Sequence, residues 1–172
     1  SRLALMKATT LGQTRTAAMT ALGTRWLAPT DSDDLAIVGT GRQAIAQVYA
    51  INAVRALKRV RVWSRVAERR QAFADKVCAD LPQADVIVAS SLEAATDGAS
   101  LVTIVTRATA PFFRAGLLAP QAHLNAVGAI LPANAEFFPD VFERARAVVV
   151  DDLDNARRGS RELRERYGAQ TP

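Results

Sequence analysis

Leu35-Ala36-Ile37-Val38-Gly39-Thr40-Gly41-Arg42-Gln43-Ala44 is the stretch whose reading decides the fold. Four apolar residues predict a buried strand, two glycines a tight turn, and the run from Gln43 to Val54 a helix. The spacing is G-x-G-x-x-A, with Ala44 in the third small position. In such a turn Gly39 permits the sharp bend and Gly41 lets a pyrophosphate approach the backbone. The small third residue lets the helix lie close on the strand. The helix N-terminus then offers free N–H groups and a partial positive charge to the phosphates. An ordinary strand-to-helix turn also carries glycines. Here the strand and the helix both stand where a dinucleotide site needs them, and the stretch is read as one.

Downstream, residues 58–63 alternate in polarity and predict a second strand, after which Ser64 and Arg65 open a helix over 66–80. The end of that strand reports on the cofactor. An Asp or Glu there would bind the ribose 2′-hydroxyl of NAD(H). This chain has Ser64 followed by Arg65, with Arg69 and Arg70 one turn on. The carboxylate that would repel a 2′-phosphate is missing, and guanidinium groups suit that phosphate. NADP(H) is therefore expected over NAD(H). The alternative is that Ser64 merely caps the helix and the arginines are solvated.

Further strands are expected at 85–89, 101–105, 123–127 and 147–150, with short helices over 92–96 and 139–145 and a charged helix over 152–167. Six strands alternating with helices predict an α/β fold, a doubly wound parallel sheet in the order 3-2-1-4-5-6. Ligands of such sheets sit beyond the carboxyl ends of the strands. That rule selects Thr106, Arg107 and Thr109, and then Asn125, Ala126, Val127 and Gly128 through Ile130. His123 has acid–base chemistry but begins its strand, at the end opposite the expected cleft.

Upstream, Thr9 or Thr10 can cap a helix running to about Trp26, before Ala28-Pro29 breaks it. Leu11, Arg15, Ala18, Leu22 and Trp26 share one face by spacing. An arginine amid an apolar stripe is costly unless an anion meets it, or unless it snorkels to water; spacing leaves both open. Residues 2–8 read as extended and belonging to a larger neighbouring structure, and the start at Ser1 suggests an excised or processed piece.

With 172 residues, 49% apolar and 23% charged, the chain is about one soluble globular domain. A single cysteine rules out an internal disulfide, and with a single histidine it leaves no zinc cluster and no expected metal. Cys78 shares a helical pattern with Phe73, Val77 and Leu81, so core packing is expected of it. A net charge of +5 could suggest nucleic acid, but the arginines are dispersed and aromatics are 6%, so no stacking platform is expected. A phosphate-rich cofactor is the simpler partner for the charge. No apolar run has the length of a membrane span, and the apolar start is too short for a signal peptide.

Four motifs stand in order: Thr14-Arg15-Thr16-Ala17-Ala18, Gly39 through Ala44, Val62-Trp63-Ser64-Arg65, and His123-Leu124-Asn125-Ala126-Val127-Gly128. Together they resemble the ornithine cyclodeaminase/mu-crystallin family. The similarity continues through the Pro132 and Glu136 region to Val148-Val149-Val150-Asp151-Asp152. The resemblance implies a Rossmann-like NAD(P)-binding domain over 31–172. Residues 1–30 would form a helical segment leading to a separate substrate and dimerisation lobe. It implies that Arg15 holds a substrate carboxylate beside the nicotinamide, and that Arg42, Gln43 and Ser64 are cofactor positions. Ornithine cyclodeaminases carry an aspartate for proton transfer where this chain has Ile130, and a hydrocarbon cannot act as acid or base. The expectation is an NAD(P)H-dependent reductase of small imino acids such as Δ1-pyrroline-2-carboxylate. It is expected to be cytoplasmic and homodimeric through the missing lobe, and inactive as this piece alone. The alternatives are an ornithine cyclodeaminase or amino-acid dehydrogenase, and a non-catalytic, crystallin-like NADP(H)-binding protein.

Overall fold

The computed structural model describes residues 8–168, so the extended run expected at 2–8 lies, Ala8 apart, outside the described residues. A parallel sheet holds β1 (Asp34–Val38), β2 (Arg59–Trp63), β3 (Asp85–Val88), β4 (Leu101–Ile104) and β5 (His123–Ala126) in the order β3-β2-β1-β4-β5. Around it run α1 (Thr9–Leu27), α2 (Ala44–Asn52), α3 (Ala67–Asp80), α4 (Leu92–Thr96) and α5 (Asp140–Arg144), then α6 (Leu153–Gly159) and α7 (Arg161–Tyr167).

The central strand explains why both faces are covered. Leu35 and Ile37 point into a core built with Val48 and Ile51 of α2 and Phe73 and Val77 of α3. Ala36 and Val38 point the other way, toward Leu92, Val102, Ile104 and Phe113. A strand apolar on both faces must be sandwiched between helices, and that makes the sheet doubly wound. Among the described residues no helix is long and apolar enough to cross a membrane.

Four expectations need correction. Residues 147–150 form no strand, so the described sheet ends at β5; Val149 is 64% exposed. A valine run has β-propensity, but a strand exists only with a ladder partner, which composition does not reveal. The C-terminal helix is two helices, because Ser160 takes extended backbone and its hydroxyl accepts a bond from the Leu163 amide. Cys78 is exposed: α3 turns Phe73, Ala74 and Val77 inward and carries Cys78 past the edge of that face.

The fourth concerns α1. Its buried side is Ala17, Thr20, Ala21 and Thr24, packed against α2 and β5, while Leu22 and Trp26 are exposed, Trp26 at 73%. Small residues at i, i+3, i+4 and i+7 let this helix approach the domain closely; the large apolar residues lie on the other side. Arg15 is therefore exposed and bears no desolvation cost. Neither Thr9 nor Thr10 caps the helix, whose N-cap is Ala8 without a side-chain bond.

Candidate functional site

The carboxyl edge of the sheet gathers most of the expected residues. Gly39 follows β1, its amide donating to the Trp63 carbonyl at 2.8 Å. Its φ of +115° lies where side chains are strained, and a Cβ would stand 2.6 Å from the Val105 oxygen. Glycine is required here by conformation and by space together. Gly41 has the opposite surroundings, with nothing within 4 Å of a Cβ. One glycine thus shapes the turn, and the other leaves the open approach that a phosphate needs.

Beside the turn, the Thr40 hydroxyl donates to Ser64 Oγ at 3.2 Å, and Ser64 donates to the Val66 carbonyl at 3.2 Å. No carboxylate stands at the end of β2. Arg65 and Arg69 are exposed, whereas Arg70 is committed to the carbonyls of Ala89 and Ser90. The Gln43 amide oxygen is buried and has no partner, and one helical turn on both side-chain polar atoms of Gln47 are likewise unpaired. Orphaned polar atoms beside an open glycine turn suit a site completed by a polar ligand.

Helix α1 meets the glycine turn at its start and Arg55 and Asn125 near its end. Near its start Gln13 Nε2 donates to the Arg42 carbonyl at 3.2 Å, pinning the helix to the turn. Arg15, two residues on, points away from the Ala17 side and is exposed. At the far end the Arg55 guanidinium donates to the carbonyls of Thr24, Arg25, Ala28 and Pro29. It closes the helix terminus, where carbonyls lack intrahelical partners. No motif points to Arg55 in the sequence.

Asn125 is engaged inside the fold. Its Nδ2 donates to Thr24 Oγ1 at 3.1 Å and Thr103 Oγ1 at 3.4 Å, and its Oδ1 lies 3.0 Å from His123 Nε2. Burial holds the His123 ring below the ordinary histidine range, the Asn125 contact raises it, and the Arg55 charge lowers it further. His123 stands at the start of β5, away from the cleft, as its place in the sequence implied. Ala126 ends the strand with Val127 just beyond it, and Ile130 further on is 75% exposed.

Thr106 makes a network that its sequence position did not reveal. Its amide and its hydroxyl each donate to Glu136 Oε1 at 2.6 Å, while Glu136 Oε2 accepts from the Gly128 amide at 2.8 Å. Glu136 is fully buried, and its own amide donates to Glu162 Oε1 at 2.8 Å. Burial raises the Glu136 carboxyl above the usual range, and its three donors offset part of that rise. Arg107 and Thr109 are exposed in the same loop. Among the described residues no three His, Cys, Asp or Glu side chains are grouped to hold a metal ion.

The sequence profile of the ornithine cyclodeaminase/mu-crystallin family matches residues 1–165. The ketimine reductase mu-crystallin of Rattus norvegicus is 36% identical over 156 residues, 91% of this chain and 48% of that protein. A Delta(1)-pyrroline-2-carboxylate reductase of Bacillus cereus is 32% identical, over 90% of this chain and 47% of its own length. Among solved structures, the Thermococcus litoralis Delta(1)-pyrroline-2-carboxylate reductase in complex with NADH and L-proline superposes with a TM-score of 0.89. It has 27% identity, over 95% of this chain and 50% of that one. The chain spans about half the length of the relatives it matches.

Proposed function

The chain belongs to the ornithine cyclodeaminase/mu-crystallin family, and from that premise we propose that it is the dinucleotide-binding part of an NADPH-dependent reductase of small imino acids. The Gly39–Gly41 turn at the switch point between β1 and β4 is the observation that carries the reading: one glycine is sterically compelled, the next faces open space. The pyrophosphate would lie over Gly41 and the start of α2, with Arg42 and Gln43 beside it. A reduced nicotinamide bound there would supply a hydride to the imine carbon.

Support for the phosphorylated cofactor comes from Ser64 and the free Arg65 and Arg69, with no carboxylate to repel a 2′-phosphate. Arg15, exposed on α1, would neutralise the substrate carboxylate and align its carbon. Ala126 and Val127 would border the nicotinamide. Asn125 would act by anchoring β5 to α1, since its amide is already engaged. An imine protonated in solution needs no further acid, consistent with Ile130 in the loop.

The outward apolar face of α1 (Leu11, Met19, Leu22, Trp26 and Leu27) supports a division at about residue 30. Further protein would then cover that face and complete a cytoplasmic homodimer. The full-length protein should oxidise NADPH in the presence of Δ1-pyrroline-2-carboxylate. Arg15→Ala should cut kcat/KM for the imino acid about 30- to 1000-fold, the loss of a charge-assisted contact worth about 2–4 kcal/mol, with NADPH affinity nearly unchanged. Ammonia release from L-ornithine without added reductant would instead favour a cyclodeaminase. Tight NADPH binding without turnover would favour a crystallin-like binding protein.

A further inference from the structure

Where β4 and β5 end, their ladder stops with the Val127 amide donating to the Ile104 carbonyl at 2.8 Å. The next amides, of Thr106 and Gly128, then lack a strand partner. Glu136 supplies one for both, with a separate carboxylate oxygen on each. The Thr106 hydroxyl joins it, and that hydroxyl also accepts from the Ala108 amide at 3.2 Å. Gly128 is shaped to this arrangement. A Cβ there would overlap the Thr106 backbone and the Glu136 carboxylate themselves.

Glu136 is itself held from behind. Its carbonyl accepts from the amides of Phe112 and Phe113 at 3.1 and 3.0 Å, and its amide is taken by Glu162 of α7. The clamp also reaches the glycine turn, because the Thr106 methyl would lie 3.3 Å from a Cβ on Gly39. In a sheet of this kind the 2′-substituted ribose lies at the end of β2, which leaves the ends of β4 and β5 to the nicotinamide half.

We propose that Glu136 is a positioning residue of the dinucleotide site. Its carboxylate spans the ends of β4 and β5 and holds the nicotinamide half of the cleft against the Gly39 turn. This rests on the dinucleotide reading given above. The chemistry of the span explains the residue type. Two backbone amides point at two oxygens, and neither amide can turn round to accept. A glutamine in the same place faces one of them with its own NH2, leaving a buried donor unpaired.

The full-length protein, its Glu136→Gln variant and its Thr106→Val variant would be titrated with NADPH, NADH and ADP, with thermal melts alongside. ADP carries the adenosine half alone, so it reports on the β1–β2 side without the nicotinamide. Glu136→Gln is expected to weaken the preferred dinucleotide at least tenfold while ADP affinity stays within twofold of wild type. Thr106→Val removes one of the three donors and is expected to give a loss of threefold or more with the same split. It decides the matter if Glu136→Gln does not fold. Folded variants that bind the dinucleotide like wild type would overturn the role of Glu136 and leave the cofactor reading intact. Equal losses of ADP and dinucleotide would also overturn it, as general damage. A wild type that binds ADP but neither dinucleotide would overturn both.

Discussion

At the end of β2, where a carboxylate would favour NAD(H), the chain has Ser64. Ser64→Asp would put a carboxylate at the ribose edge, repelling a 2′-phosphate and offering an acceptor to a free hydroxyl. The ratio of NADPH to NADH affinity should fall about tenfold or more, some 1.4 kcal/mol. Arg65→Ala should move it the same way by removing attraction. Fluorescence titration of both cofactors with the three proteins measures this, and a wild type that prefers NADH would reduce Ser64 to a link between Thr40 and Val66. Residue identity was a good guide to the glycine turn but not to the start of α1, where neither threonine caps the helix. Gly39, Gly41 and Ser64 sit together at one edge, as their spacing implied. Glu136 could be quoted as part of a resemblance, but its work depends on Thr106, 30 positions away, and Gly128, 8 away, converging on one carboxylate. No period or motif encodes that convergence. Gly128 offered a partial signal, as a glycine just past a strand where a close approach was expected.

Among the elements, α1 shows most clearly what an apolar pattern conceals. Leucine and tryptophan mark one face by hydropathy, yet the helix seats itself by alanines and threonines, because close packing against α2 and β5 needs small side chains. The sixth strand failed for a related reason, since pairing is a property of two segments. The other strands were legible as short apolar or alternating runs between turn signals, and β1 because it is apolar on both faces. What secures α1 at its far end is Arg55, which gathers carbonyls of Thr24, Arg25, Ala28 and Pro29 in a partly buried corner. Arg55→Ala should leave those carbonyls short of donors and cost about 2–4 kcal/mol of stability, since hydrogen bonds from a charged group are the stronger kind. Urea denaturation would show it as a lower midpoint with an unchanged slope. A midpoint equal to wild type would mean that water replaces the guanidinium without loss.

For the molecule as a whole, the doubly wound sheet bears on where the proposed ligand would sit, and the family on which ligand is proposed. Helices on both faces of the central strands leave their carboxyl ends open, and strand order reverses between β1 and β4 at the glycine turn. The chain covers about half of its relatives' length, so the complete protein is the object on which function has to be measured. The central claim is that a nicotinamide held at this edge passes its hydride to an imine carbon. The most direct measurement uses the full-length protein with Δ1-pyrroline-2-carboxylate and NADPH deuterated at C4 of the nicotinamide, on either face in turn, followed by mass spectrometry of the product. The account predicts proline carrying the deuterium on its α-carbon from one of the two labelled cofactors. Absence of proline, or unlabelled proline from both cofactors, would contradict it.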